Sequence, residues 1–117
     1  MEIKHDEMVT ALAKDGNIIA KEIDGKDAHL MHMAIGISGE AGELLDAIKR
    51  KVIYRKDLDM ENVLEELGDL EFYLEGIRQG VGVTREQCLE ANIEKLGERY
   101  KGFKYSDKSA QERADKQ

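Results

Sequence analysis

Leu30, Ala34, Ile37, Ala41, Leu44 and Ile48 follow one another at steps of four, three, four, three and four residues. A stripe with that spacing stays on one face of an α-helix and packs against another helix. It predicts a long helix over about Asp27–Tyr54. A second stripe, Met60, Val63, Leu67, Leu70, Leu74 and Ile77, predicts another, from an N-cap at Asp59 to the stop at Gly80-Val81-Gly82. Thr84 and Gln87 form a capping box that opens a further helix with seam Leu89, Ile93, Leu96 and Tyr100. A shorter helical segment, about Glu2–Lys14, ends at the turn signal Asp15-Gly16-Asn17, and Ile18–Ile23 reads equally as helix or irregular chain.

The chain has no proline and no tryptophan, and only four Tyr and two Phe. That composition excludes an all-β sandwich. At 117 residues it predicts one all-α, four-helix-bundle-like domain over residues 1–105. The polar stretch 106–117 has no apolar period and is expected to be a disordered tail or one docked on a partner subunit. Met31, Met33 and Met60 are expected in the core, and Cys88 beside the seam of the last helix.

Charge and cysteine usage exclude several classes of function. Eighteen basic and 25 acidic residues leave a net charge of −7, which argues against a nucleic-acid partner. A lone cysteine permits no internal disulfide. The longest uncharged run, Ala28–Gly39, falls short of the ~20 residues that span a bilayer, and MEIKHDEM has no apolar leader region. The expected setting is cytoplasmic, without a membrane.

The acids are placed unusually. Glu40 and Glu43 each immediately precede a stripe residue of the 27–54 helix, and Glu66 and Asp69 do the same in the 59–80 helix. One residue before a stripe is about 100° round the helix, on its flank. Two antiparallel helices packed on these stripes turn four carboxylates toward one space. No Lys or Arg lies between Lys26 and Lys49, or between Lys56 and Arg78, although eight acids occupy the second interval. Solvated helical faces ordinarily interleave the two signs. Clustered carboxylates without bases raise one another's pKa unless a cation holds them, and hard oxygen ligands suit Mg²⁺ or Mn²⁺. The competing reading is a pair of solvated acidic faces, since E-x-x-[ED] spacings also arise by chance, as at Glu112-x-x-Asp115.

Other metal chemistry lacks its ligands. A di-iron bundle needs Glu-x-x-His pairs, and none occurs. His29-x-x-His32 has no third or fourth soft ligand for zinc. Glycines 36, 39 and 42 each cost a helix interior about 1 kcal/mol relative to alanine. Their closeness predicts that something approaches the backbone there, or that the face meets a second chain.

Ile37-Ser38-Gly39-Glu40-Ala41-Gly42-Glu43-Leu44, followed by Glu65-Glu66-Leu67-Gly68-Asp69-Leu70, resembles the E-x-x-E … E-x-x-D signature of the MazG-like all-α nucleoside triphosphate pyrophosphohydrolases. Ala91-Asn92-Ile93-Glu94-Lys95-Leu96-Gly97-Glu98-Arg99-Tyr100 resembles the A-N-x-x-K-L-x-x-R-Y element that follows in that family. The resemblance covers about residues 28–103. Gly39 stands where the family often has a first acid, and Lys101 where a proline commonly follows.

The resemblance implies cleavage of an NTP or dNTP to the nucleoside monophosphate and pyrophosphate. It implies Mg²⁺ held by Glu40, Glu43, Glu66 and Asp69, one carboxylate activating the attacking water, and assembly as a homodimer or homotetramer. His32 matches a position often filled by histidine in short, phage-type members, and Tyr73 resembles an aromatic that packs near the sugar. Asn92, Lys95 and Arg99 lie in the third motif. Lys95 and Arg99 precede stripe residues as the acids do, so they reach phosphates if their helix packs beside the other two. The basic stretch Lys49-Arg50-Lys51 with Arg55-Lys56 reads as an exposed loop or as further phosphate contacts. Within the superfamily the alternatives are a phosphoribosyl-ATP pyrophosphatase or a dUTP-type diphosphatase. The alternative from another class is a non-enzymatic helical interaction protein.

Overall fold

The computed structural model describes residues 2–113 and 115, and all regular structure among them is helical. Two short helices, α1 (His5–Leu12) and α2 (Gly16–Glu22), form an N-terminal arm, so the ambiguous Ile18–Ile23 stretch is largely helical. Asp15 starts α2 by accepting the Asn17 backbone N–H at 2.8 Å. Met8, Val9, Leu12, Ile18 and Ile19 of this arm remain exposed.

The two long helices are bounded by side-chain caps. Asp24 accepts the Asp27 N–H (2.9 Å) and Asp27 accepts the Asp24 N–H (3.2 Å), a reciprocal box that opens α3 (Gly25–Val52). Asp59 accepts the Asn62 N–H at 3.1 Å and opens α4 (Met60–Val81), as the sequence predicts. Gly82, at φ 77°, closes α4 in the left-handed conformation that glycine adopts without a Cβ penalty.

α3 and α4 pack as an antiparallel hairpin, the principal tertiary contact of the chain. Glycines set the register. Tyr73 lies flat where a Cβ on Gly36 would sit, Met33 fills the space over Gly76, and Leu30 with His29 covers Gly80. His29 Nε2 also lies 2.9 Å from the Gly76 carbonyl oxygen.

This register corrects the predicted stripes. Leu30, Ile37 and Leu44 do face α4, but Met33, Glu40 and Ala47 take the places expected of Ala34, Ala41 and Ile48. On α4, Glu66 is inside and Leu67 is 44% exposed. Every second position slips by one residue because close approach at Gly36 and Gly76 outweighs keeping Glu40 and Glu66 out of the seam and burying Ile48 and Leu67 instead. Of the three methionines expected in the core, Met33 is buried, whereas Met31 and Met60 are exposed. By helical phase, Ala34, Ala41, Leu45, Ile48 and Val52 join Leu64 and Leu67 on one side of the hairpin, and Gly39, Glu43, Asp46 and Arg50 lie on the other.

Thr84 and Gln87 form the predicted capping box at the start of α5 (Arg85–Arg99), with bonds of 2.8 and 3.1 Å. α5 packs against a 3₁₀ turn (Lys101–Phe103) and α6 (Asp107–Glu112) rather than along the hairpin. The expected tail is therefore partly helical. Asp115 pairs with Arg99 of its own chain, through Oδ1 to Nε at 2.9 Å and Oδ2 to an Nη at 3.3 Å. The remaining positions of that tail, 114, 116 and 117, lie outside the described residues. Cys88 is exposed, not packed beside a seam. The radius of gyration is 20.1 Å, against about 13 Å for a compact chain of this length. No helix among the described residues is long and apolar enough to cross a membrane.

Candidate active site

The slip in register brings acids into the seam itself. One oxygen each from Glu40, Glu43 and Glu66 lie within 4.8 Å of one another. Glu66 is only 7% exposed and Glu40 is half-buried, while Glu43 opens to the surface. The Oε2 atoms of Glu40 and Glu66 are buried without a hydrogen-bond partner. Such an orphaned carboxylate oxygen is costly, and a cation held between the acids would satisfy it. The three groups supply only hard oxygen donors, the set that suits Mg²⁺ or Mn²⁺.

The electrostatics follow from the same crowding. Hydrogen bonding with the Glu40 carboxyl, then with that of Glu43, then burial, push the Glu66 pKa up to about 8. Sharing a proton is how a metal-free cluster relieves the repulsion between like charges. The base-free run on α4 is less extreme than its sequence suggests. Arg78, at its far end, reaches back to Glu75 (2.8 Å) and Glu71 (3.6 Å), neutralising two of the eight acids away from the cluster.

The fourth predicted acid, Asp69, is one turn beyond Glu66, exposed and outside the three-carboxylate group. The register set by Gly36 with Tyr73 and Met33 with Gly76, carried along both helices, puts Glu40 level with Asp69 and Glu43 level with Glu66. Asp69 thus borders the cluster from the next turn. His32 and Tyr73 come together on the hairpin, with ring centroids 6.3 Å apart and edge-on, and Phe72 meets Tyr73 at 5.2 Å.

Asn92, Lys95 and Arg99 stand apart. They lie on α5, where Lys95 borders a shallow cleft closed by Asp115, and the Arg99 fork is occupied by the Asp115 carboxylate. Within one chain they do not join the acids, because α5 packs against the 3₁₀ turn and α6 and not along the hairpin. Sequence reasoning missed the Asp24–Asp27 box, whose D-x-x-D spacing was readable. It also missed Asn62 as part of the acid cleft, which no pattern signals: it lines that cleft with Glu43 and Glu66.

Three carboxylates gathered at mid-length of an α-helical hairpin, with no base among them, are a group that could hold a hard cation between helices. A model of the MazG nucleotide pyrophosphohydrolase domain matches residues 29–103, and the chain belongs to that family. The match spans α3, α4 and α5 and ends at Phe103. No curated protein and no solved structure matches the chain. Its function is accordingly of the nucleotide pyrophosphohydrolase type, a hydrolase acting on acid anhydrides.

Proposed function

We propose that this chain hydrolyses a nucleoside triphosphate, ribo- or deoxyribo-, to the monophosphate and pyrophosphate in a Mg²⁺-dependent reaction, with Mn²⁺ as a substitute. The observation that carries the reading is the buried, unpartnered Oε2 of Glu66 amid Glu40 and Glu43. Glu40, Glu43 and Glu66 hold the cation, with Asp69 added from the adjacent turn. When bound, the ion neutralises the triphosphate so that it can approach an acidic site, and it eases deprotonation of the attacking water. One carboxylate of the set orients that water and takes its proton. The His32–Tyr73 pair offers an aromatic edge beside the cluster for sugar or base.

The working form in this reading is a cytoplasmic homodimer or homotetramer. The chain exposes 9664 Å², whereas a compact 13.2 kDa monomer exposes about 6,400 Å². The surplus of about 3,000 Å² per chain gives two copies about 6,000 Å² to bury, at the upper end of obligate interfaces. Assembly also gives α5 a hairpin to pack against, so that Asn92, Lys95 and Arg99 meet phosphates once Asp115 is displaced.

The decisive experiment is a panel of NTPs and dNTPs with Mg²⁺, reading pyrophosphate against orthophosphate. Pyrophosphate plus monophosphate is expected. Orthophosphate plus diphosphate, or no turnover of any member, overturns the reading. A monomer by light scattering at micromolar concentration overturns the assembly.

A further inference from the structure

Beyond Tyr100 the chain turns back on α5. Gly102, at φ 70°, takes the left-handed conformation, and the Phe103 ring settles 3.5 Å from the point where a Cβ on Gly97 would sit. Tyr105 then meets Tyr100, with ring centroids 5.6 Å apart. The returning segment carries α6 and delivers Asp115 to Arg99. We propose that this segment is a latch: Asp115 occupies the Arg99 guanidinium in the free protein, and a polyphosphate has to displace it to reach α5. The inference rests on the reading that Lys95 and Arg99 meet phosphates, and it names a regulation of that site.

Three observations carry it. The first is the kind of contact. Asp115 accepts from Arg99 Nε at 2.9 Å and from an Nη at 3.3 Å, and the Asp115 and Arg99 side chains are only 5% and 16% exposed. Two parallel bonds from one guanidinium fork are the geometry that also receives a phosphate, so carboxylate and phosphate exclude each other there. The bond from Arg99, with Lys95 adding a weaker attraction, holds the Asp115 carboxyl below the usual carboxylate range. Asp115 also closes a cleft of about 300 Å³ that Lys95 lines. Secondly, little besides this pair fixes the segment. α6 is six residues long, far below the length at which an isolated helix is stable in water, and none of its residues is buried. Only Ser109 and Ala110 of α6 are even half-buried. Thirdly, the family match ends at Phe103, so Asp115 stands outside the domain whose Arg99 it occupies. A carboxylate brought in on a weakly held segment leaves without unpacking α5. Tethered so closely, it competes at an effective concentration on the order of millimolar, which a ligand of several charges exceeds and a lone carboxylate does not.

The test uses the intact 117-residue chain and inorganic pyrophosphate, first without metal so that the carboxylate cluster holds no cation. Adding pyrophosphate to wild type is expected to speed amide hydrogen exchange over residues 107–112 about tenfold or more. Asp115→Asn should exchange that fast without any ligand and bind pyrophosphate about tenfold more tightly, because the competitor is gone. With Mg²⁺ and a dNTP, its KM should fall while kcat holds or rises. Arg99→Ala should free the segment equally but bind pyrophosphate more weakly than wild type. A purely structural ion pair would not give that opposite response, since both variants would then lose affinity and Tm alike. Unchanged or weaker pyrophosphate affinity in Asp115→Asn overturns the latch. So does slow exchange in pyrophosphate-saturated wild type, a measurement that needs no variant to fold. If wild type cleaves no nucleotide, the hydrolase reading fails separately, and the exchange and pyrophosphate measurements still decide the latch.

Discussion

One interface, between α3 and α4, is built in two opposite ways along its length. Toward the α4 C-terminus it interlocks, with Tyr73 over Gly36, Met33 over Gly76 and Leu30 over Gly80. Toward the middle, Glu40, Glu43 and Glu66 face one another with two oxygens left without partners. The first half gains from close van der Waals contact, and the second sacrifices it to keep charge in the seam. The interlocked half fixes the register rigidly enough to hold the acids at a spacing they would not choose themselves. The contacts that lock the register and the candidate site occupy neighbouring turns of the same two helices.

The sharpest way to break the contrast is Glu43→Gln. Removing a carboxylate from a repelling cluster should leave the helical circular dichroism spectrum intact and lower pyrophosphate release by at least about 100-fold, given that even outer partners of metal ligands cost 10–100-fold. Wild-type turnover in that variant would detach the acids from the chemistry. Next in size is the response to the cation. At Mg²⁺ concentrations about 100 times its Kd, wild type should gain about 2.7 kcal/mol of stability, visible as a rise in Tm, and Glu66→Gln should lose most of that gain. An unchanged Tm with Mg²⁺ would leave the orphaned oxygens unexplained.

On the interlocked side, Gly36→Ala should cost about 1–3 kcal/mol by urea unfolding, because the new methyl meets the body of the Tyr73 ring. Gly76→Ala should cost less, since the obstructing atoms belong mainly to the mobile end of Met33. Equal costs would mean that the two glycines do not set the register as described. The smallest effect is a pH dependence of the metal-free protein. Glu66 is held up to about 8 in the fold against an ordinary 4.5, so the native state keeps a proton that the unfolded chain releases. The stability this contributes is fully present below 4.5 and is lost as pH rises to about 8. Thermal melts across that window should decline for wild type and flatten for Glu66→Gln.

Most of the helices were legible in the residues. Caps at Asp59 and Thr84 start α4 and α5 where side-chain oxygens satisfy orphan N–H groups, and the Gly80-Val81-Gly82 stop ends α4 at a left-handed glycine. Such local rules act within four residues and need no partner. The two acid pairs were legible for the same reason, as spacings on single helices.

Which stripe faces which helix was decided only by tertiary structure. Positions 33, 40 and 47 and positions 34, 41 and 48 follow the same period, one step of about 100° apart, and hydrophobicity favours the second set. Glycine adds nothing to a hydrophobic stripe, yet close approach at Gly36 and Gly76 chooses the first set and carries Glu40 and Glu66 inside. The place of α5 lay equally beyond the sequence. Its motif shows which residues are basic, but whether they reach the acids depends on what α5 packs against and on what covers the exposed side of the hairpin. The sequence by itself determined the helices and the stock of carboxylates; burial without a partner, which singles out one of those carboxylates as a candidate ligand, came only from packing two helices at a glycine-set distance.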